Sequence, residues 1–405
     1  MDEATATVAT PFRICCYNAI AAKGLERFPA GRYEVAKGLA DPDAILLRSH
    51  VLKLEEIAAS VKAIGRAGAG VNNIPVEKMS ARGVPVFNAP GANANAVREL
   101  VLAAILLGAR NIIPAVGYVN SLAAGPDFEA RIEEGKKQFA GFELPGRVLG
   151  IIGLGAVGGL VADTAIKLGM RVLGYDPEIT VDSAWRLPAS VHKAHSIEEV
   201  MKSADFITLH LPLVDMTRHL VNARRLALVR KGAILLNFSR DAIVDEEALL
   251  AAFGEHRLRA YLCDFPSPRL AAHPQVVALP HLGASTLEAE ENCSIMVVDQ
   301  VREFLEDGTI RNAVNFPSVA MGRESAHRVG IANANVPNMV GQISTTMAQA
   351  GLNIHNMVNK SKGEMAYTLV DLDSPVEPPL VERLARIPGV LSVRALPQPH
   401  GSAAS

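Results

Sequence analysis

Short apolar runs alternate with stretches of helical periodicity along most of this 405-residue chain. Apolar runs of four or five residues, bounded by turn residues, are typical of strands buried on both faces of a parallel sheet. Such runs lie at 14–17, 44–47, 61–64, 84–88, 148–152, 171–175, 206–209, 233–237, 260–263 and 276–279. Their alternation with helical stretches predicts an α/β fold assembled from βα units.

Two long helical stretches indicate how the domains are connected. A strongly apolar helix is predicted at 97–111, and a long amphipathic helix at 287–305. We expect the first to carry the chain from one domain into a second, and the other to return it. The first domain is therefore expected to be discontinuous in sequence. The stretch 125–134 is predicted to be a loop.

The pattern changes after residue 317. Residues 318–326 lack periodicity and are predicted to be a linker. Beyond them the order is strand, helix, hairpin, helix and strand, at 329–333, 339–350, 354–359 with 365–371, 380–387 and 391–396. This βαββαβ order predicts a small ferredoxin-like sandwich, followed by a short polar tail.

The glycine spacing after the strand 148–152 predicts a dinucleotide site. Gly153, Gly155 and Gly158 have the GxGxxG spacing and are followed by a helix. Glycines at these positions permit a tight turn, backbone approach to a pyrophosphate and close helix packing. Asp176 ends the next strand, where a carboxylate accepts ribose hydroxyls and repels a 2′-phosphate, which favours NAD over NADP. The alternative is a glycine-rich turn in another kind of α/β domain.

Polar residues follow several predicted strands at their carboxyl ends, where ligands bind in open α/β sheets. Arg48, a glycine loop at 68–70 and Asn88 could face one such site. Arg240 and His281 follow two strands of the dinucleotide domain. A guanidinium can hold a 2-hydroxy acid's carboxylate and polarise its C2 oxygen, and an imidazole can take the hydroxyl proton. The spacing alone leaves His281 either a general base or a structural histidine.

Composition excludes several other classes. The net charge of −2 gives no electrostatic reason to expect nucleic-acid or membrane binding. Four cysteines show no zinc-ligand spacing, so no metal site is predicted and reduced thiols are expected. The beginning of the sequence lacks the basic and apolar regions of a signal peptide, and we expect a cytoplasmic protein.

The motifs together resemble the D-isomer-specific 2-hydroxyacid dehydrogenases, in particular those that act on D-3-phosphoglycerate. The matching segments are RAGAGVNNI (66–74), NANAVRELV (93–101), GIIGLGAVG (150–158), HLPL (210–213), NFSRDAIVDEEAL (237–249), CDFP (263–266) and PHLGAST (280–286). The C-terminal segment resembles an ACT domain. The resemblance implies a flavodoxin-like substrate domain (1–95 and 285–317) around a Rossmann NAD domain (96–284). The linker (318–326), ACT domain (327–397) and tail (398–405) would follow.

The resemblance also implies roles for individual residues. Arg240 and His281 would be catalytic. The residues around NAD would be Gly153, Gly155, Ala156, Val157, Gly158, Asp176, Leu211, Phe238, Ser239, Asp264, Gly283 and Ala284. Those around the substrate's carboxylate and phosphate would be Arg48, Ser49, Gly70 and Val71. An L-serine effector would contact Asn333, Asn335 and Asn353 at a dimer interface, within a homodimer or homotetramer; the alternative is that this domain serves only in dimerisation.

One position departs from the family pattern. Arg269 stands where the family has a glutamate that pairs with the histidine, and no acid occurs between Phe265 and Leu287. Either Arg269 points away and another acid serves, or catalysis is weaker. Asp241 also replaces a usual glycine, and Asn338 replaces a glycine in a turn, where asparagine tolerates a left-handed backbone. The alternatives for the whole protein are a dehydrogenase of another 2-hydroxy acid, such as 2-hydroxyglutarate, and an NAD-binding regulatory protein.

Overall fold

The computed structural model describes residues 10–18 and 20–399. The chain divides into two compact units. Unit 1 comprises the residues up to Ala92 and those from Glu290 onward, and unit 2 comprises Asn93–Ala289. Unit 1 is therefore made of two segments of the sequence, one before and one after unit 2.

Unit 1 contains a five-stranded parallel sheet in the order β2-β1-β3-β4-β5, the order of flavodoxin-like folds. The central strand, Ala44–Leu47, is wholly buried because its sequence is an uninterrupted apolar run. The elements are β1 (Phe12–Cys16), α1 (Ala22–Leu25), β2 (Tyr33–Ala36), β3 (Ala44–Leu47), β4 (Ala63–Arg66), α2 (Val76–Ala81) and β5 (Val86–Phe87).

Unit 2 contains a seven-stranded parallel sheet in the order β12-β11-β10-β9-β6-β7-β8. The strand order reverses between β6 and β9, which is the switch point where doubly wound sheets bind nucleotides. Its helices are α3 (Ala94–Arg110), α4 (Ile112–Ser121), α5 (Phe128–Gly135), α6 (Ala156–Lys167), α7 (Val181–Trp185), α8 (Ile197–Ser203), α9 (Ala223–Leu226), α10 (Glu246–Gly254) and α11 (Pro268–Ala271). Its strands are β6 (Val148–Ile152), β7 (Arg171–Tyr175), β8 (His192–Lys193), β9 (Phe206–Leu209), β10 (Ala233–Asn237), β11 (Leu258–Cys263) and β12 (Val276–Ala278).

The rest of unit 1 follows α12 (Leu287–Asp307) and forms a four-stranded antiparallel sheet in the order β14-β15-β13-β16. Its elements are β13 (His327–Ala334), α13 (Met339–Gln349), β14 (Ile354–Lys362), β15 (Met365–Leu372), α14 (Pro378–Ala385) and β16 (Val390–Ala395). This is the βαββαβ arrangement that the sequence predicts. Asn338 adopts the left-handed backbone (φ 63°) that its turn requires.

The segment 318–326 contains no helix or strand, yet it is held firmly against the rest of unit 1. Arg323 donates hydrogen bonds to Asp307 and to the carbonyl oxygens of Ala326 and Pro397. Side chains of the antiparallel sheet and of α12 share one core cluster, which includes Phe304, Phe316, Val319, Tyr367 and Leu369. The C-terminal sheet is thus packed against α12 and the segment that follows it in the same unit.

The loop prediction for 125–134 is wrong, because residues Phe128–Gly135 form the helix α5. Gly125 and Pro126 suggested a loop, whereas the residues after them are good helix formers. Tyr118 of α4 fixes α5 by donating a hydrogen bond to the carbonyl oxygen of Arg131, 2.7 Å away. Such a tertiary contact is not visible in local periodicity.

No single helix among the described residues is long and apolar enough to span a membrane. Helices α3 and α4 are long and apolar enough only when they are taken together, and the pair is bent by 64°.

Candidate active site

The β6–α6 turn of unit 2 leaves room for a phosphate. Gly153 has φ 94°, and a Cβ there would lie 2.3 Å from the carbonyl oxygen of His210. A Cβ on Gly158 would lie 2.0 Å from the carbonyl oxygen of Gly153. A Cβ on Gly155, by contrast, would meet nothing within 4 Å. Two glycines are therefore required for packing, and the third faces open space beside the first helical residues, Ala156 and Val157.

Asp176 lies beside this turn at the end of β7. Its Oδ2 accepts the backbone N–H of Leu154 at 2.8 Å, and its Oδ1 accepts that of Glu178 at 3.0 Å. These bonds fix the carboxylate next to the glycine turn. Each of the two carboxylate oxygens has a further lone pair that can accept a hydrogen bond from a ribose hydroxyl.

Arg240 is held by the end of β10. The buried Asn237 donates hydrogen bonds to the carbonyl oxygen of Arg240 at 2.8 Å and to the hydroxyl of Tyr261 at 3.1 Å. The sequence analysis did not select Asn237 or Tyr261, which together fix the backbone at Arg240. Their polar groups within the largely apolar strands β10 and β11 were the signal in the sequence that could have identified them.

Phe238 is buried in the core, and the hydroxyl of Ser239 is used within the protein. Ser239 donates to the carbonyl oxygen of Leu209 at 2.6 Å and accepts the backbone N–H of Leu211 at 3.2 Å. Ser239 thus joins the carboxyl ends of β9 and β10, two neighbouring strands on one side of the switch point.

His281 lies in a loop that Asp264 holds. The backbone N–H of His281 donates to the carbonyl oxygen of Asp264 at 3.1 Å. The buried Asp264 carboxylate accepts the N–H groups of Leu282 and Gly283 at 2.6 and 2.7 Å. His281 has a left-handed backbone (φ 56°), which costs energy in a non-glycine residue and persists where neighbouring contacts enforce it. Ala284 is half-buried next to this loop.

The side chains of Arg240 and His281 flank one aromatic ring. The imidazole of His281 lies 4.4 Å from the ring of Phe265, centroid to centroid. The guanidinium carbon of Arg240 lies 5.6 Å from the centroid of the same ring. The structure therefore brings together the two residues that the sequence predicted as catalytic.

A second histidine, His210, follows β9. Burial lowers the pKa of its imidazole to about 4, and its Nε2 lies 3.0 Å from the hydroxyl of Thr208. It is uncharged at neutral pH and is a poor acceptor for an alcohol proton. Of these two imidazoles, His281 is therefore the better candidate base.

Arg269 is engaged elsewhere in unit 2. Its guanidinium pairs with Glu247, and also lies 3.8 Å from Glu246, both on α10. This pairing lowers the pKa of the Glu247 carboxyl. The sequence left two alternatives, that Arg269 points away from His281 and another acid serves, or that catalysis is weaker. These ion pairs favour an Arg269 that points away.

The candidate anion site of unit 1 contains two guanidinium groups. Arg48 pairs with Glu290 at 2.5 Å, and Arg66 donates from Nε to the carbonyl oxygen of Arg48 at 3.0 Å. Burial raises the pKa of the nearby Cys293 thiol. The positive charges of Arg66 and Arg48 partly oppose this rise. Arg66 is a residue that the sequence analysis did not select; its position directly before the glycine loop was the available signal.

The loop after β4 runs beside these side chains. Gly68 has φ 153°, and the guanidinium of Arg66 occupies the space that a Cβ there would need. Asn88 donates to the carbonyl oxygen of Ala69 at 2.6 Å and so fixes the loop that continues to Gly70 and Val71. Ser49 follows Arg48 and is exposed.

A second candidate site is a cavity of about 150 Å³ in the C-terminal sheet of unit 1. Asn333, Asn335, Asn338 and Asn359 line it, of which Asn338 and Asn359 were not predicted. Asn335 donates to the carbonyl oxygen of Gly363 at 3.0 Å. Asn353 is not among the lining residues and pairs instead with Asp373 at 2.8 Å.

Comparisons with known proteins agree with this geometry. Residues 105–283 match the family model "D-isomer specific 2-hydroxyacid dehydrogenase, NAD binding domain". The chain is 32% identical over 383 residues to D-3-phosphoglycerate dehydrogenase of Haemophilus influenzae, covering 90% of this chain and 88% of that enzyme. The chain belongs to the D-isomer specific 2-hydroxyacid dehydrogenase family. It is an NAD-dependent dehydrogenase.

Other members of the family differ in length from this chain. D-3-phosphoglycerate dehydrogenase of Methanocaldococcus jannaschii is 35% identical over 363 residues; the match covers 84% of this chain but only 66% of that enzyme. A solved structure of NAD⁺-bound 3-phosphoglycerate dehydrogenase from Entamoeba histolytica covers 75% of this chain and 99% of its own, with TM-score 0.59 and 26% identity.

The residues of unit 2 fit the NAD cofactor of this family. The open space at Gly155, next to the amino end of the twelve-residue helix α6, suits a pyrophosphate. The fixed carboxylate of Asp176 suits ribose hydroxyls.

Proposed function

We propose that this protein oxidises D-3-phosphoglycerate to 3-phosphohydroxypyruvate with NAD, as in the first step of L-serine synthesis. The observation that carries the proposal is the pairing of Arg240 and His281 around Phe265 at the nucleotide-binding edge of the sheet. The names of the similar enzymes support the same substrate.

The chemistry divides between the two side chains and the cofactor. NAD, held at the glycine turn and by Asp176, would supply the acceptor for the hydride that leaves C2 of the substrate. Arg240 donates hydrogen bonds to the substrate's carboxylate and C2 oxygen, and so orients C2. His281 takes the proton of the C2 hydroxyl as the carbonyl forms. Asn237 and Asp264 act through these two residues, because they hold the backbone that carries them.

Arg48 and Arg66 support a doubly charged substrate. The Arg48 guanidinium pairs with Glu290, and the Arg66 guanidinium lies against the carbonyl oxygen of Arg48, so both groups border the same glycine loop. Guanidinium groups bind phosphate and carboxylate through paired hydrogen bonds. Ser49 and the backbone of Gly70 and Val71 would add polar contacts to the same groups.

One assay distinguishes the proposed activity from a regulatory function. Substrate-dependent formation of NADH, measured at 340 nm with purified protein, separates an enzyme from an NAD-binding regulatory protein. NADH formation from D-3-phosphoglycerate supports the proposal. Binding of NAD without turnover of any 2-hydroxy acid would instead favour the regulatory function.

The first prediction concerns cofactor choice. We expect NADH to bind more tightly than NADPH, and Asp176→Asn to reduce that preference by about tenfold, or ~1.4 kcal/mol, because the repulsion of a 2′-phosphate is lost. Dissociation constants from fluorescence titration check this. Asp182→Asn, at an exposed acid of α7, is the control and should leave the preference unchanged. Equal affinity of the wild-type protein for both cofactors would contradict the role of Asp176.

We also propose that the C-terminal sheet is an ACT domain whose amide-lined cavity binds L-serine. Asn333, Asn335, Asn338 and Asn359 offer amide donors and acceptors to a zwitterionic amino acid. Asn353, which lies outside this cavity, would reach the ligand from a second subunit of a homo-oligomer. Effector binding acts on the enzyme only through a difference in affinity between two conformations.

The second prediction follows from this cavity. Millimolar L-serine should lower activity or raise the melting temperature, and Asn335→Ala should abolish the response. D-Serine serves as the control ligand, since a shaped amide site discriminates the two enantiomers. Loss of the response in Asn353→Ala would support assembly of the site across subunits. If L-serine changes neither activity nor melting, the domain is an assembly element only.

A further inference from the structure

The candidate anion site of unit 1 contains a carboxylate of its own. Nη1 of Arg48 lies 2.5 Å from Oε1 of Glu290, which belongs to α12. The Arg48 side chain is 30% exposed and the Glu290 side chain 41%, so a dissolved ligand can reach both groups. Within residues 10–18 and 20–399, neither side chain has a second ion-pair partner. A carboxylate therefore already occupies part of the guanidinium that an anionic ligand needs.

Both members of this pair are attached to fixed backbone. The carbonyl oxygen of Arg48 accepts hydrogen bonds from Nε of Arg66 at 3.0 Å and from Nδ2 of Asn73 at 3.1 Å. On α12, the hydroxyl of Ser294 accepts the backbone N–H of Ala21 at 3.2 Å, which fastens the helix one turn after Glu290. Opening of the pair therefore requires rotation of the two side chains rather than a shift of the backbone.

The thiol of Cys293, three residues after Glu290 on α12, experiences the charges of the same site. Burial raises its pKa, the guanidinium charges of Arg66 and Arg48 lower it, and the carboxylate of Glu290 raises it. The carboxylate thus opposes the guanidinium groups at this point of the molecule. It would oppose them equally toward an anion that enters the site.

An anionic ligand of Arg48 must displace Glu290 or share the guanidinium with it. Displacement loses the attraction between Arg48 and Glu290, and sharing brings two negative groups close together. Either course raises the dissociation constant by the amount that a partly exposed ion pair contributes, a factor of about two to five.

We propose that Glu290 is an internal counter-ion of Arg48 and thereby a specificity-determining residue, because it weakens the binding of phosphate groups at this site. The inference rests on the proposed function, in which Arg240 binds the carboxylate of the substrate and leaves the phosphate to Arg48. Free phosphate has no other contact to offset the weakening, whereas D-3-phosphoglycerate also offers its carboxylate and its hydroxyl. Glu290 thus keeps the site open to substrate in the presence of free phosphate.

The first test measures the binding of inorganic phosphate to the full-length protein saturated with NADH, which occupies the glycine turn of unit 2. Isothermal titration calorimetry should give a dissociation constant about twofold to fivefold lower for Glu290→Gln than for wild type. In an Arg48→Met background the same substitution should have no effect, because the ion pair is already absent. An unchanged or higher dissociation constant in Glu290→Gln would overturn the proposal.

Glu291→Gln is the matched control. Glu291 is the next residue of α12 and loses the same charge, but it pairs with Lys23 at 2.9 Å rather than with Arg48. Its substitution should leave the dissociation constant for phosphate close to the wild-type value. An equal gain in affinity from both substitutions would reveal an effect of net charge alone and would also overturn the proposal.

Steady-state kinetics with NAD separate this inference from the proposed function. Glu290→Gln should lower KM for D-3-phosphoglycerate by about twofold to fivefold. It should change KM for D-glycerate, which lacks the phosphate, by a smaller factor, and KM for NAD should stay close to the wild-type value. An equal fall in KM for D-glycerate would contradict the action of Glu290 on the phosphate.

The two kinds of failure are distinguishable. NADH formation from D-3-phosphoglycerate with an unchanged or higher KM in Glu290→Gln would refute the role of Glu290 and leave the proposed function standing. Tighter binding of inorganic phosphate by Glu290→Gln, without NADH formation by the wild-type protein, would refute the proposed function and leave the counter-ion established.

Discussion

Replacing His281 by alanine should lower kcat for D-3-phosphoglycerate oxidation by about 10³-fold, within the range that a positioned general base contributes. The substrate's hydroxyl proton would then have no acceptor of suitable pKa among the two imidazoles considered. His210 cannot substitute, because burial lowers its pKa to about 4. NAD binding should persist, since the glycine turn and Asp176 are unchanged.

Steady-state kinetics and NADH fluorescence titration test this expectation together. His192→Gln, at an exposed histidine of β8, is the control and should retain wild-type turnover. Retention of most of kcat in His281→Ala would remove His281 from the mechanism. A matched loss of NADH affinity would instead indicate that the loop around Gly283 had collapsed.

Replacing Asp371 by asparagine should destabilise unit 1 by about 3–5 kcal/mol. Arg328 and Asp371 form a fully buried ion pair, with hydrogen bonds of 2.6 and 2.9 Å. The same guanidinium donates to the carbonyl oxygens of Met321 and Gly322. Loss of the carboxylate would leave a buried cation with incomplete compensation, at the contact between the segment 318–326 and the C-terminal sheet.

Thermal unfolding of Asp371→Asn measures this effect as a fall in the melting temperature. The control is Glu303→Gln, which breaks the exposed Arg311–Glu303 pair of 2.7 Å. We expect the control to cost less than about 1 kcal/mol, as exposed pairs do. A double substitution, Arg328→Met with Asp371→Leu, should recover much of the loss because it removes both charges. Equal melting of Asp371→Asn and the control would contradict the account.

Most strands of the parallel sheets were predictable because they are largely apolar runs. The edge strands β2 and β8 contain charged or polar residues and were not predicted. The predicted strands 44–47, 148–152, 171–175, 206–209 and 233–237 agree with the structure residue by residue. The α/β fold and the Rossmann-like unit are confirmed. The failure at 125–134 has a local cause, since Gly125 and Pro126 outweighed the helix-forming residues that follow.

Long-range contacts could not be predicted in the same way. The ion pair of Arg328 and Asp371 joins residues on two strands, and neither residue has a distinguishing local pattern. Phe265 contacts His281 and Arg240 only because β10 and β11 are neighbours whose ends, with the loop after β12, meet at one edge. Arg66 stands directly before the glycine loop, and nothing in the local sequence indicates that its side chain reaches the carbonyl oxygen of Arg48. The role that the resemblance suggested for Asn353 remains a prediction.

The most direct test of the proposed function is the specificity of the purified protein over a panel of 2-hydroxy acids with NAD. The kcat/KM for D-3-phosphoglycerate should exceed that for D-glycerate by about a hundredfold or more, since the phosphate gains at least two charge-assisted hydrogen bonds of ~1.5 kcal/mol each. It should also exceed that for 2-hydroxyglutarate. A higher kcat/KM for 2-hydroxyglutarate, or no NADH formation from D-3-phosphoglycerate, would contradict the account.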